Sequence, residues 1–130
     1  MRDFAIQAGA GAGRPTVSDA IALGPGVVLQ GTRMQFGRNE EIFGEGEKAE
    51  YVYRVVSGAV RTIRFSADGR RQILAFHLPG DVFGFEPGAK HTLSAEAVGE
   101  AAVSMVRRSL IDSAASEDIA AAKALLTLMQ

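Results

Sequence analysis

Between Gly84 and Thr92 the chain gathers a carboxylate (Glu86), an ammonium (Lys90), an imidazole (His91) and a hydroxyl (Thr92) within nine residues. Such a set could hold a small polar or anionic ligand. Lys90 attracts an anion as a point charge but lacks the planar fork with which arginine grips a phosphate at two places. The plainer reading of Glu86, Lys90 and His91 is a solvated turn carrying charged side chains, and that reading is preferred. No nucleophile, base and orienting group can be picked out as a set, so a non-enzymatic protein is expected. His77 reads as a packed or rim histidine on a strand, and with His91 fourteen residues away as the only other imidazole a histidine-rich metal site cannot be built. The chain has no cysteine, which removes thiolate zinc sites, iron-sulfur clusters, disulfides and cysteine nucleophiles from this segment. No cofactor is called for.

Arg61, Arg64, Arg70 and Arg71 form a local basic patch on one expected hairpin, read here as a solvated face balanced by acids such as Glu45, Glu47 and Glu50. Gly9, Gly11 and Gly13 imitate a nucleotide-binding glycine run but follow no expected strand, so they read as linker.

These residues must be positioned by a single domain, because 130 residues rarely divide into two cores. With 14 basic and 15 acidic side chains the net charge is -1, which offers no global field for nucleic acid. No apolar run approaches the roughly 20 residues of a membrane span, and the start lacks the layout of a secretory signal, so a cytoplasmic protein without membrane contact is expected.

Residues 1–26, rich in glycine and alanine, are expected to form a flexible arm, interrupted by one short helix over Asp19 to Leu23 that Ser18 or Thr16 caps and Gly24-Pro25 stops. Residues 27–107 change to short alternating or β-branched runs separated by turn formers. Strands are expected at Thr32 to Phe36, Glu41 to Phe43, Tyr51 to Val56, Ala59 to Phe65, Gln72 to Leu78, His91 to Ala97 and Ala101 to Arg107. The firmest local feature is a hairpin turning at Ser66-Ala67-Asp68-Gly69. Many short strands without helices between them imply a sandwich or barrel, of which a jelly roll is one form.

Residues 108–130 are rich in alanine and leucine and read as helical, with Ser116 as a fresh N-cap where a first short helix hands over to a second. Ala115, Ile119, Ala122, Leu126 and Met129 recur at spacings of four, three, four and three, the stripe of a helix that seeks a partner helix. The stripe reads as the start of a dimerisation helix cut short at Gln130.

The order of elements is similar to that of the cyclic-nucleotide-binding-like sensor domain. Glu40-Glu41-Ile42-Phe43-Gly44-Glu45-Gly46 resembles the family's opening strand and turn. The run from Tyr51 to Arg61 resembles its central hairpin. The run from Asp68 to Leu74, followed by Phe76-His77-Leu78-Pro79-Gly80-Asp81-Val82-Phe83-Gly84, resembles the approach to its ligand cassette. Within that superfamily the text is most similar to CRP/FNR-type transcription regulators of the FixK-like branch, through Lys90-His91-Thr92 and Ser94-Ala95-Glu96-Ala97-Val98.

The resemblance implies a mainly β double-stranded β-helix, or jelly roll, with a flanking N-terminal helix and a C-terminal dimerisation helix. It implies a homodimer formed through that helix. DNA and RNA polymerase would be met only by the full-length regulator, since nothing of a helix-turn-helix domain is present in these residues. It also assigns the ligand cassette to Gly84, Glu86, Lys90, His91 and Thr92, and there the sequence departs from the pattern. Phe85 follows Gly84 where cyclic-AMP binders carry Glu, Glu86 arrives one position late, Lys90 holds the place of the phosphate-binding arginine, and only five residues separate Gly84 from Lys90. The expected function is therefore an effector or sensor and dimerisation domain that does not bind cyclic AMP, with any small-molecule effector unidentified. The alternatives are a cyclic-nucleotide-binding module and, further off, a cupin-type metalloenzyme, which would need two or three histidines and a glutamate.

Overall fold

Tyr53 and Val55 point to one side of their strand and Val52 to the other, yet all three are buried. A strand covered on both faces needs a layer on each side, and the fold supplies them. The computed structural model describes residues 18–128. Its elements, in chain order, are β1 Ile21–Ala22, β2 Val28–Leu29, β3 Thr32–Phe36, β4 Glu41–Phe43, β5 Tyr51–Ser57, β6 Val60–Phe65, β7 Arg71–His77, β8 Val82–Phe83, β9 Ser94–Ala97, β10 Ala101–Arg107, α1 Arg108–Glu117 and α2 Ile119–Leu128.

Two antiparallel four-stranded sheets, ordered β3-β10-β5-β8 and β4-β9-β6-β7, make the jelly roll. Phe43, Tyr53, Val55, Val60, Phe83, Ala95 and Val103 come from both sheets and meet between them. A second cluster lies on the outer face of the first sheet, where Val52 and Val106 pack against Ile21 and Leu23 from the N-terminal segment, Ile111 from α1 and Ala121 from α2. The change of parity along β10, Val103 inward and Val106 outward, follows from the period of two. Each such valine or isoleucine contributes about 1.5–3 kcal/mol by burial.

Six of the seven expected strands, β3, β4, β5, β6, β7 and β10, match to within one residue at each end, and the hairpin joins β6 to β7 as expected. Its turn is closed by Ser66 and Arg70, with the Ser66 N–H donating to the Arg70 carbonyl at 2.8 Å and Gly69 at φ 83°.

Three expectations need correction. The helix expected over Asp19 to Leu23 is instead β1, paired with β2. The Ser18 hydroxyl does accept a backbone N–H, that of Ala20 at 3.0 Å, but the chain then extends. Ile21 and Leu23 are buried on either side of exposed Ala22, and positive φ at Gly24 and Gly26 turns the chain back. Burying two large residues outweighs the weak propensity of a five-residue helix. The end of the expected arm, 18–26, is accordingly part of the packed domain, while residues 1–17 lie outside the described residues. The Arg54 guanidinium holds this segment by donating to the Ala20 carbonyl at 2.7 Å.

The strand expected from His91 begins only at Ser94, for a reason given below. Finally, the helical segment breaks at Asp118 rather than Ser116. Asp118 is extended (φ -144°, ψ 120°), and its carboxylate accepts the Ala121 N–H at 2.9 Å, whereas the Ser116 hydroxyl donates back to the Ser113 carbonyl. An aspartate that reaches the third N–H beyond it makes the stronger cap.

Candidate functional site

Strand β8 is followed directly by Gly84, whose φ of 84° is one that side chains rarely adopt. A Cβ there would lie 2.6 Å from the Tyr53 ring. The chain therefore crosses tightly over the aromatic interior before residues 85–90, which form bends and no helical turn. Glu86 follows, and its carboxylate turns inward. One oxygen accepts the Thr92 N–H and the other accepts the Thr92 hydroxyl, each at 3.1 Å. His91 Nδ1 stands 3.4 Å from the same carboxylate. Glu86 and His91 are buried, so the solvated turn expected for them is corrected; Lys90 and Thr92 are exposed.

The loop is shut by backbone pairing as well. His91 donates to the Glu47 carbonyl, Gly46 to the His91 carbonyl and Ala49 to the Ala89 carbonyl, all at 2.8 Å, and Lys48 bridges to Lys90. His91 and Thr92 are thus committed to segment 46–49 and to Glu86, which is why β9 starts late.

The His91 ring stacks on Phe43 with centroids 3.6 Å apart and planes 11° from parallel. Phe43, Tyr53 and Phe83 continue the stack at 5.2–6.2 Å, and His77 lies on Phe83 at 5.1 Å. These rings fill the space between the sheets at this end. Burial pushes the His91 imidazole below its ordinary value, with the hydrogen bond to Glu86 pulling the other way. Neutral His91 with its proton on Nδ1 suits both facts: it donates to the carboxylate, and Nε2, which finds no partner among the described residues, is left as a bare lone pair. Burial also raises Tyr53 to about 12, aided by Glu47 and Tyr51. His77 is half-buried and held low by burial, opposed by Asp81.

One residue that the sequence gave no signal for ties this loop to the helices. The Arg108 guanidinium lies over the Phe85 ring at 5.3 Å, donates to the Gly88 and Pro87 carbonyls, and approaches Asp112 at 3.6 Å. Its backbone N–H donates to the Glu50 carbonyl at 2.8 Å. A cleft of about 530 Å³ between this loop and α1 is lined by Lys48, Glu50, Gly88, Arg107, Arg108 and Asp112, so that cations and acids face it together.

The basic hairpin is also more structured than a solvated face. Glu96 accepts Arg61 at 2.6 Å and Arg71 at 2.5 Å, and Arg61 reaches on to Asn39 at 2.8 Å. Burial would raise Glu96, but the two guanidinium hydrogen bonds outweigh it and hold the carboxyl below the usual range. Arg70 pairs with Asp68 at the exposed turn. The acid that balances the patch is therefore Glu96, on the neighbouring strand, rather than Glu45, Glu47 or Glu50.

The helical stripe faces outward. Ala115, Ile119, Ala122 and Leu126 line a groove of about 250 Å³, with Ile119 78% and Leu126 61% exposed, while the core is served by Ile111, Ala121 and Leu125. Met129 lies outside the described residues. Among the described residues no group of three His, Cys, Asp or Glu side chains could hold a metal ion, and no helix is long and apolar enough to cross a membrane.

Compared with known proteins, residues 33–118 match the protein-family model for the cyclic nucleotide-binding domain. The chain is 50% identical over 102 residues to the nitrogen fixation regulation protein FixK of Azorhizobium caulinodans, a match covering 78% of this chain and 41% of that protein. The solved structure of FixK2 from Bradyrhizobium japonicum superposes with a TM-score of 0.75 at 50% identity, covering 78% of this chain and 51% of that one. The Thermus thermophilus catabolite activator protein shares the fold at 24% identity, with a TM-score of 0.68 over 76% of this chain and 48% of that one. The chain thus spans about half the length, or less, of the proteins it matches.

Proposed function

Given that the chain belongs to the cyclic nucleotide-binding domain family and matches FixK proteins over most of its length, we propose that it is the sensor and dimerisation part of a FixK-like transcription regulator that works without cyclic nucleotide. The observation that carries this reading is the inward Glu86. A cyclic nucleotide needs donors for its phosphate and room for its base and sugar. In this chain the Thr92 N–H and hydroxyl are already spent on Glu86, and the interior beneath is filled by Phe43, Tyr53, Phe83 and His91. Lys90, the remaining cation of the cassette, sits exposed on the bridge to Lys48.

Two partners follow from the reading. A second copy of the chain covers the stripe Ala115, Ile119, Ala122 and Leu126, continued by Met129, because exposed apolar residues at these spacings are suited to a helical seam. DNA and RNA polymerase are engaged by the full-length regulator, for which this domain sets the spacing of the two halves.

Calorimetric titration with cyclic AMP beside cyclic GMP tests the proposal. No saturable heat up to millimolar ligand is expected. Micromolar binding of either nucleotide would overturn the effector-independent reading and make the domain a nucleotide-gated module.

A further inference from the structure

We propose that segment 86–92 is an oxyanion site which the chain fills with its own carboxylate, so that any exogenous ligand at this place is a small carboxylate or phosphate that must first displace Glu86. The inference rests on the reading that the cassette is closed without nucleotide, and adds what closes it. Three donors converge on one buried carboxylate: the Thr92 N–H and hydroxyl at 3.1 Å to separate oxygens, and His91 Nδ1 at 3.4 Å. They come from two consecutive residues: His91 is pinned by its N–H to Glu47 and by its carbonyl to Gly46, and that carbonyl lies in the same planar peptide as the Thr92 N–H, so backbone pairing apart from Glu86 orients this donor. The anion, in contrast, arrives on a short loop, five residues before His91. Its tether is held by Arg108 through Pro87 and Gly88.

Fixed donors and a tethered anion are the parts of a binding site with an internal ligand. Thr92 is exposed, which gives a solvent ion a way in, whereas Glu86 and His91 are shielded. Lys90 lies in the same loop as a further positive charge, and Glu47 is an acid near the His91 imidazole. A buried carboxylate whose two oxygens are both bonded outcompetes a dissolved ion because its effective concentration is set by a six-residue span. Removing the side chain leaves the donors unpaired, a condition that a free oxyanion relieves.

The test is chemical rescue in the full chain. Glu86→Ala is melted in sodium formate and in sodium phosphate, each against sodium chloride at matched ionic strength. We expect Glu86→Ala to melt several degrees below the wild type, and formate to restore at least half of that loss with saturation in the millimolar range. Restoration by phosphate as well, or instead, also supports the proposal and identifies the larger oxyanion as the ligand. Glu86→Ala/Thr92→Val should lose the response, and the wild type should show none. A folded Glu86→Ala protein that responds to both oxyanions no more than to chloride overturns the proposal, as does an equal response in the double variant. If Glu86→Ala is unfolded in chloride, recovery of near-ultraviolet circular dichroism in formate or phosphate supports the site, and no recovery overturns it. Nucleotide binding by the wild type would refute the proposed function while leaving the rescue readable; a flat rescue with a silent nucleotide titration would refute the internal ligand alone.

Discussion

Replacing Gly84 by alanine should be among the most damaging single-methyl changes in this domain, and the structure contains its own control. Gly84 and Gly69 have nearly the same backbone, φ 84° and 83°. Each should lose about 1–2 kcal/mol on substitution from the left-handed conformation alone. Their surroundings differ. A Cβ at Gly69 meets nothing within 4 Å, whereas one at Gly84 lies 2.6 Å from Tyr53 Cδ1 and 3.1 Å from Phe43 Cε2. Both rings are buried, and each is braced by other aromatic rings, so neither can yield without disturbing the stack. Overpacking of this kind adds about 1–3 kcal/mol. The expected losses are therefore about 1–2 kcal/mol for Gly69→Ala and about 2–5 kcal/mol for Gly84→Ala. Urea denaturation followed by tyrosine fluorescence and far-ultraviolet circular dichroism reads both, with equal m-values as the check that the transition stays two-state. In a Tyr53→Ala background the gap between the two substitutions should narrow to what Phe43, at 3.1 Å, still imposes, because the nearest atom that the new methyl strikes is gone. Equal losses for the two alanines in the wild-type background would refute the claim that Gly84 is required by the close approach of the aromatic interior.

Glu96→Gln should destabilise by roughly 1–3 kcal/mol, a value discounted because Arg71 is half-exposed and rehydrates readily when its partner is lost. Since the folded Glu96 carboxyl lies below its ordinary 4.5, its contribution is present in full above that value and disappears as pH falls through the lower folded one; the variant should lose this part of the acid limb in melts between neutral pH and about pH 3. Arg108→Ala should cost about 1–2 kcal/mol and raise amide exchange across residues 86–90 while exchange at Val55 and Val103 changes only with global stability, since the guanidinium contacts the loop and not the sheets. Unchanged loop exchange would show that the backbone pairing to segment 46–49 suffices. Ile119→Lys and Leu126→Lys should leave the melting temperature within about 2 °C, because both side chains face solvent, yet abolish the self-association proposed above, read by sedimentation velocity of the protein. A dimer that survives both would place the seam elsewhere. Deleting Ser116 onward is the poorer experiment, as it also removes the buried Ala121 and the packed Leu125.

The sandwich was legible in the sequence because its determinants are local. β-branched alternation in Tyr51–Ser57, and Asp68-Gly69 between two apolar runs, specify strand and hairpin whatever lies opposite. The same local reasoning failed for Asp19 to Leu23, where an acceptable helix start competed with a burial pattern whose value depends on Val52 and Val106 arriving from far along the chain. It also misplaced the second helix start by two residues, since serine and aspartate are both acceptable caps and only the backbone chose between them.

The candidate site divides in the same way. Composition and spacing put Gly84, Glu86, Lys90, His91 and Thr92 in one short segment and excluded thiolate chemistry, and the resemblance to the family marked the cassette carboxylate as displaced by one residue. Whether that carboxylate faces water or the protein was decided by tertiary structure. Segment 46–49 zips onto residues 89–91, Phe43 receives the His91 ring, and Arg108 anchors the loop from a helix that begins sixteen residues beyond Thr92. A side chain's type is written at its own position. Its burial is a property of what packs against it, and a turn rich in charge reads as solvated until distant strands supply the donors that make burying Glu86 favourable.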